Sequence, residues 1–286
     1  MTTTRRGAAL LGSLLLIAAC QQAANIPNVV CAGEATTYVD WVQGDLALAE
    51  PDPVPEATAG DPDDLLAIVQ ERGELIVSTD PNYAPQSFLN PDGTFEGFDI
   101  DVANEIGERL GVDVRFETPE WDAITAGSWS GRWDVSVGSM TVTDDRKEVL
   151  SFTRPYYYTP AQMAVATSAN IDSLDQLPDE LEVTTLPTDA ECAQAIQAGR
   201  TDFVLWLSGS TTVVGAIDAG APMEPLGEPV FAEPLSVAFD KSGPPHAELL
   251  YAIDQIIADM HEDGTLTGLS EQWFDGLDLT VAAGSE

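Results

Sequence analysis

Short apolar strands alternate with helical stretches along most of this 286-residue chain, and this alternation constrains the fold more than any other feature. The apolar stretch at 74–80 is followed at 98–111 by apolar residues at helical spacing, and a second strand pattern follows at 112–119. Such alternation is typical of a parallel sheet with helices packed on its faces. The sequence therefore predicts an α/β fold.

Ligands of such sheets bind beyond the carboxyl ends of the strands. Asp80 ends the first predicted strand, and Trp121 follows the second. Ser139 and Thr141 lie at the end of the third, which covers 134–140. This edge of the sheet is therefore the expected binding site.

The chain is long enough, at 286 residues with 44% hydrophobic composition, for two modest cores. The stretches 152–167 and 229–240 have the pattern of long strands that cross between two lobes. The second lobe is short of elements, because only residues 173–181 separate the first crossing strand from the strand EVTTL at 182–186. An opening strand and helix are missing there.

The N-terminus has the pattern of an export signal. The pair Arg5-Arg6 precedes an apolar run at 7–17 that is short for a membrane span, and small residues stand directly before Cys20. This arrangement resembles a bacterial lipobox, in which Cys20 becomes the lipidated first residue of the mature protein. An ordinary secretory signal with an incidental cysteine, or export by the twin-arginine route, is the alternative.

The chain carries 48 acidic and 11 basic residues, a formal net charge of −37. This charge disfavours binding to nucleic acid and to anionic membrane surfaces, so no nucleic-acid partner is expected. Attraction of cationic ligands is one explanation of this charge, but charge alone favours the other, which is solubility, including solubility in a salty environment.

Three segments, in this order, resemble the solute-binding proteins of amino-acid ABC importers, bacterial solute-binding protein family 3. They are GELIVSTDPNYAPQSFLNPDGTFEGFDIDVANEIGERLG at 73–111, VSVGSMTVTDDRKEVLSFTRPYYYT at 135–159 and DGTLTGLSEQWF at 263–274. Their joint occurrence is more specific than any one motif. The resemblance implies a type II periplasmic-binding-protein fold, whose two lobes are mostly parallel sheets flanked by helices and joined by two crossing hinge strands.

In that family the second lobe opens with a strand, a small-residue loop with Ser/Thr pairs, and a helix. The stretch VVCAGEATTYVDWVQGDLALAE at 29–50 resembles this missing piece, so a lobe-two segment is expected at the N-terminus. An undocked segment beside an incomplete lobe is the alternative. The resulting division is a signal peptide at 1–19, a tether at 20–28, the displaced segment at 29–50, a linker at 51–63, lobe one at 64–160, lobe two at 161–232 and the C-terminal part of lobe one at 233–280.

Export places Cys31 and Cys192 in an oxidising compartment, where a disulfide can persist. If the displaced segment docks, a bridge between these two cysteines would pin it to the helix after EVTTL. Such a bridge would contribute about 2–4 kcal/mol.

The resemblance implies that Arg146 makes a bidentate pair with the α-carboxylate of a ligand, while Ser139 and Thr141 add hydrogen-bond donors. From lobe two, Thr36 and Thr37 would close on the same carboxylate. A surface Arg146 paired with a neighbouring acid is the alternative.

Asp80 would accept hydrogen bonds from a ligand ammonium, and Tyr83 and Trp121 would form apolar walls around the stem of the ligand. These roles depend on the resemblance, because aromatic residues after strands also serve as ordinary core residues.

The chain departs from the family pattern after the strand DFVLWL at 202–207. Amino-acid binders of the family usually carry an acid there that holds the α-ammonium, but the matching residue is Leu207. Trp206, Ser208 or Ser210 is expected to line the pocket instead, with Trp206 as the ligand-binding residue. This departure argues against an ordinary α-amino acid as ligand.

The implied function is that of a monomeric lipoprotein, outside the membrane or in the periplasm, which binds an amino acid or related carboxylate between its lobes. Hinge closure would present the ligand to the permease and ATPase subunits of an ABC importer. Catalytic residues, metal sites and cofactors are not expected, because His246 and His261 lie away from the predicted strand ends. A solute sensor lipoprotein and a dehydratase-like enzyme on the same fold are the alternatives.

Overall fold

The computed structural model describes residues 29–32, 48–177, 181–186, 189–198 and 204–281. Its strands are β1 (Val29–Ala32), β2 (Glu74–Ser78), β3 (Asn82–Tyr83), β4 (Ser87–Leu89), β5 (Phe95–Glu96), β6 (Asp113–Glu117), β7 (Val135–Thr141), β8 (Leu150–Ala166), β9 (Glu182–Thr185), β10 (Leu205–Gly209), β11 (Met223–Pro225) and β12 (Phe231–Asp240).

The helices are α1 (Leu65–Arg72), α2 (Phe98–Leu110), α3 (Trp121–Thr125), α4 (Asp144–Val149), α5 (Asp189–Gln197), α6 (Ser210–Asp218), α7 (Ala247–Glu262) and α8 (Thr265–Trp273), with a 3₁₀ turn at Leu174–Gln176. Within these described ranges, none of the helices combines the length and the apolar character that a bilayer crossing requires.

The main sheet has the order β6-β2-β7-β12-β8-β10-β1-β9, with β11 paired to β8, and β3-β4-β5 form a small separate sheet. Lobe one contains β2, β6 and β7, and lobe two contains β1, β9 and β10. The long strands β8 and β12 are antiparallel neighbours that run from one lobe into the other. The strand and helix alternation thus gives the predicted α/β class.

Each lobe buries apolar side chains on both faces of its sheet, as parallel sheets require. In lobe one, Val77 and Ile253 belong to a core under α1, α2, α7 and α8, while Trp129 lies in a second cluster on the other face. In lobe two, Trp206 packs with α5 and α6 on one face, and Leu207 faces the opposite cluster.

Strand β1 lies inside the sheet of lobe two. It pairs in parallel with β10 on one side and with β9 on the other, so that Val30 stands opposite both Leu205 and Val183. Val30, Cys31 and Ala32 are fully buried. A strand from the N-terminus therefore provides the only described link between β10 and the edge strand β9.

Cys31 is joined to Cys192 by a disulfide, with a Cα–Cα distance of 5.7 Å. The bond connects β1 to α5 across a sequence separation of 161 residues. It stands in the apolar cluster of lobe two that also contains Trp206.

The chain between β1 and α1 reaches lobe one by residue 48. Leu48 forms an isolated bridge with Thr143, and the Ala49 N–H donates to the Val142 carbonyl oxygen at 3.2 Å. Asp52 pairs with Lys147 at 2.7 Å. Residues 48–50, which the sequence analysis assigned to the displaced segment, thus contact lobe one.

Helix α1 begins later than the sequence pattern indicates. The sequence predicts a helix with Asp61 as N-cap and Gly73 as its stop, but the N-cap is Asp64, whose carboxylate accepts from the Leu66 N–H at 2.9 Å. The same carboxylate accepts from the Leu249 N–H of α7 at 3.2 Å, so one side chain caps two helices. The helix ends at Gly73, as predicted, with φ 72°.

Candidate functional site

A cleft of about 870 Å³ lies between the lobes. Most of the side chains that the sequence analysis assigned to a ligand meet there, namely Asp80, Tyr83, Trp121, Ser139, Thr141, Arg146 and Trp206. Thr36 and Thr37, the predicted lobe-two contacts, lie outside the described residues, as does Cys20. The cleft is therefore formed by residues distant in sequence.

Arg146 is held at the wall of the cleft by its own helix and by the end of β7. Thr143 caps α4 by accepting from the Arg146 N–H at 3.3 Å, and Nη1 of Arg146 donates to the Thr141 carbonyl oxygen at 2.8 Å. The guanidinium carbon lies 5.5 Å from the centre of the Trp121 ring. Only 8% of Arg146 is exposed, so this cation is oriented and largely desolvated before any ligand arrives.

Ser139 lies over a buried hydrogen-bond network that the sequence analysis did not find. Its hydroxyl donates to Oδ2 of Asp99 at 2.8 Å, and its backbone N–H donates to the Tyr156 hydroxyl at 2.9 Å. Tyr156 in turn donates to Oδ1 of Asp99 at 2.8 Å, and the Tyr157 hydroxyl is 2.6 Å from Oγ of Ser139. The hydrogen-bond donors of Ser139, which were predicted to contact the ligand, are thus engaged with the buried residues Asp99 and Tyr156.

Asp99 is fully buried, and this burial raises the pKa of its carboxyl group to about 7. The hydrogen bonds from Ser139 and Tyr156 act in the opposite direction, whereas the negative charge of Asp80 adds to the increase. No local pattern marked Asp99, because its partners come from β7 and β8. The positive φ of Ser139, 53°, is the backbone feature that accompanies this contact.

Asp80 projects at the carboxyl end of β2, where its Oδ1 accepts from the Asn82 N–H at 2.7 Å. Burial raises the pKa of this carboxyl, the Asn82 bond lowers it, and the charge of Glu120 raises it further. Tyr83 and Trp121 line the same cleft and are half-buried. The structure therefore combines a carboxylate with two aromatic walls.

Sequence reasoning missed two further acids that line the cleft. Glu233 lies on the crossing strand β12 and is almost fully buried, and its carboxylate accepts from the Thr141 hydroxyl. Asp275 follows α8 with a positive φ of 54°. Neither acid belongs to a local motif, because each is brought to the cleft by a segment that is distant in sequence from the predicted site residues.

The described lobe-two wall is formed by neutral residues. Trp206, Ser210 and Thr211 line it, whereas the alternative candidate Ser208 is fully buried outside the lining. Across the cleft, Nε2 of Gln86 lies 3.3 Å from Oγ1 of Thr211, so the two lobes are in direct contact.

The histidines do not line this cleft. His246 stacks on Phe239 at 5.5 Å and lies 3.2 Å from the Ser151 hydroxyl. His261 lies 2.9 Å from the Pro155 carbonyl oxygen. Both residues are therefore placed in lobe one, against the crossing strands.

The profile of the bacterial extracellular solute-binding proteins, family 3, matches residues 75–276. Over 242 residues the chain is 30% identical to the L-cystine-binding protein TcyJ of Escherichia coli (strain K12). The aligned region covers 76% of this chain and 88% of that protein.

Solved structures show the same architecture. An ancestral arginine-binding protein bound to arginine has 27% identity and a TM-score of 0.62, covering 71% of this chain and 99% of its own. The ancestral amino acid-binding protein AncCDT-1, a precursor of cyclohexadienyl dehydratase, has 27% identity and a TM-score of 0.63, with 73% and 99% coverage. These similarities confirm the predicted type II periplasmic-binding-protein fold.

Proposed function

Because the chain belongs to family 3 of the bacterial extracellular solute-binding proteins, we propose that it binds an amino acid or a related carboxylate in its cleft. The observation that carries this proposal is the position of Arg146, a desolvated guanidinium in the wall of a cleft between two lobes. A guanidinium has five N–H donors in a planar fork, which matches the geometry of a carboxylate.

The opposite charges of a zwitterion find partners in the same cleft. Arg146 holds the α-carboxylate, and Asp80 accepts hydrogen bonds from the ammonium group. Tyr83 and Trp121 pack against the apolar part of the ligand. Thr36 and Thr37 complete the carboxylate contacts from lobe two in this proposal.

Closure of the cleft follows from ligand contacts with both lobes. The two lobes are joined by β8 and β12, and a ligand that contacts both walls favours the closed arrangement by its differential affinity. The monomeric protein then delivers the solute to the permease and ATPase subunits of an ABC importer. A solute sensor would use the same closure without transport.

The proposed attachment to the membrane is a lipid on Cys20. In this proposal residues 20–28 serve as a tether to β1 of lobe two, which begins at Val29. Lipid anchoring at the outer face of the membrane keeps the binding protein close to its permease.

A binding role without catalysis is favoured by the family, although one structural neighbour is described as a precursor of a dehydratase. Incubation of the protein with each ligand that it binds, followed by chromatography, distinguishes the two roles. Unchanged ligand is expected, and a dehydrated product would support the enzyme alternative.

A thermal-shift screen against the amino acids and small carboxylates tests the proposal. At least one ligand is expected to raise the melting temperature, and Arg146→Ala is expected to abolish the increase. Arg115→Ala is the matched control, because Arg115 is exposed and pairs with surface acids at the edge of lobe one. A ligand-induced shift that survives in Arg146→Ala, or no shift with any ligand, would contradict the proposal.

A further inference from the structure

Helix α6 presents its N-terminus to the cleft. The helix has nine residues, and Ser210, Thr211 and Thr212 of its first turn all line the cleft. Its N-cap is Gly209, so no side chain accepts a hydrogen bond from the first turn. The first N–H groups of a helix lack intrahelical partners and carry a partial positive charge, which favours an anion at this position.

A second and independent observation concerns Trp206, the residue of β10 that contributes to the same wall. Trp206 is fully buried, yet its indole N–H has no hydrogen-bond partner among the described residues. The indole group is a donor only, so this N–H is satisfied only by an acceptor. Buried polar groups are normally paired, and an acceptor supplied by a ligand would satisfy this one.

Hydroxyl groups on the same side of the cleft add to this pattern. Ser210, Thr211 and Thr212 line the cleft, and the hydroxyl oxygen of Thr212 is buried without a hydrogen-bond partner in the described part of the chain. Each hydroxyl can donate to an anion. Helix N–H groups, an indole N–H and hydroxyl groups thus occur together on one wall.

The distribution of charge separates this wall from the rest of the cleft. Asp80, Arg146 and Asp275 line the cleft from lobe one, and Glu233 lines it from β12. The described lobe-two residues that line the cleft are all neutral, and the sequence from Ser208 to Thr212 contains no carboxylate. Within that stretch, no acidic side chain offsets the positive end of α6.

We propose that the N-terminus of α6, together with the indole N–H of Trp206, binds a second carboxylate of the ligand. The solute is then an amino acid with two carboxylates, one on Arg146 and the other on α6. Its ammonium group lies between them and faces the acids of lobe one. This inference rests on the proposed function for the first carboxylate.

Isothermal titration calorimetry with matched ligand pairs tests the proposal, in about 0.15 M NaCl to screen the charge of the protein. The pairs are L-glutamate with L-glutamine, and meso-diaminopimelate with L-lysine. In each pair the two members differ at the second carboxylate. The member with two carboxylates is expected to bind at least about tenfold more tightly in one of the pairs.

Ser210→Asp is the critical variant. An acid in the first turn of a helix is compatible with folding, because it interacts favourably with the helix dipole, but it would repel a carboxylate at this position. The variant is expected to abolish the tenfold preference by weakening the binding of the two-carboxylate member. Ala219→Asp is the matched control, because it adds the same charge at the other end of α6, outside the cleft lining, and should leave the preference intact.

Trp206→Phe provides a second test, because it keeps an aromatic ring but removes the indole N–H together with the rest of the five-membered ring. The preference is expected to fall by about threefold to tenfold, and a single cooperative thermal transition, at a melting temperature lowered by the smaller buried ring, shows that the variant is folded.

The outcomes separate the two proposals. Equal affinities within both pairs, or a preference that survives in Ser210→Asp, would overturn the α6 site and leave the proposed function standing. Failure of every amino acid and carboxylate to bind would overturn the proposed function and, with it, the second carboxylate site.

Discussion

The two lobes differ in how the chain builds them and in what they present to the cleft. In the described structure, lobe one takes β2, β6 and β7 from one uninterrupted stretch, whereas lobe two takes β1 from near the N-terminus and β9 and β10 from the middle. Lobe one contributes Asp80 and Arg146, while the described wall of lobe two is neutral.

This difference teaches that a parallel sheet selects a strand by its hydrogen bonds and its buried side chains, and not by its connection in sequence. Strand β1 pairs on both sides and buries Val30, Cys31 and Ala32 completely. The disulfide to Cys192 supplies a covalent link to its neighbours where the main chain provides none.

The largest effect is expected from Val30→Asp, which breaks the assembly of lobe two. Val30 is fully buried between two strands, so the variant places an unpaired carboxylate in an apolar core. A loss of about 3–5 kcal/mol in the free energy of unfolding is expected, as for an uncompensated buried charge. Hydrogen exchange measured by mass spectrometry should show faster exchange in β9 and β10 than in the native protein.

Val281→Asp is the control for this prediction, because 60% of Val281 is exposed at the end of the described chain. Equal protection of β9 and β10 in Val30→Asp and in the native protein would contradict the placement of β1 inside lobe two.

A smaller loss is expected when Cys31 and Cys192 are both replaced by alanine. Removal of the disulfide loosens the attachment of β1 at a cost of about 2–4 kcal/mol. Hydrogen exchange should increase in β9 and β10 and remain unchanged in β2 and β7. The native protein treated with reductant under mild denaturation is the matched comparison, and exchange that increases equally in both lobes would contradict this prediction.

The last prediction concerns the pH dependence of stability and tests lobe one, where Asp99 is buried. Burial raises the pKa of Asp99 from 3.8 to about 7, so between these values the folded protein binds more protons at Asp99 than the unfolded chain does. The contribution of Asp99 to stability therefore falls as the pH rises from about 4 to about 7.

Urea denaturation at about pH 5 and about pH 8 measures this dependence. Asp99→Asn does not titrate, and its stability is expected to decrease less between the two pH values than that of the native protein. The comparison of the two proteins removes the contribution of the other acids, which both share. An identical pH dependence would show that Asp99 does not titrate in this window.

Much of the fold followed from the sequence because its signals are local. The alternation of strands and helices predicts the α/β class, and the resemblance of 29–50 to a missing piece anticipates a strand that the structure places between β9 and β10. The start of α1 was placed wrongly at Asp61, since the choice of Asp64 depends on a contact with α7. Local patterns do not contain that contact.

Residues of the site could be predicted from the sequence where they follow the ends of strands. They could not be predicted where segments distant in sequence meet. Asp80 and Arg146 follow strands and line the cleft. Asp99 requires partners on β7 and β8, and Glu233 is brought in by the crossing strand β12. The alternation of side chains along β10, which places Trp206 and Leu207 on opposite faces, was a usable signal that the sequence analysis did not apply.

The position of β1 has a consequence for the order in which the protein matures. Residues 29–32 are synthesised early, but their two neighbours in the sheet, 182–185 and 205–209, leave the ribosome much later. The N-terminal half of the nascent chain thus has no place to dock this apolar strand, and long-range pairing of this kind slows folding. Assembly of lobe two must therefore await the synthesis of β10, which ends at Gly209 of the 286 residues, while the strands of lobe one are already complete by Thr141.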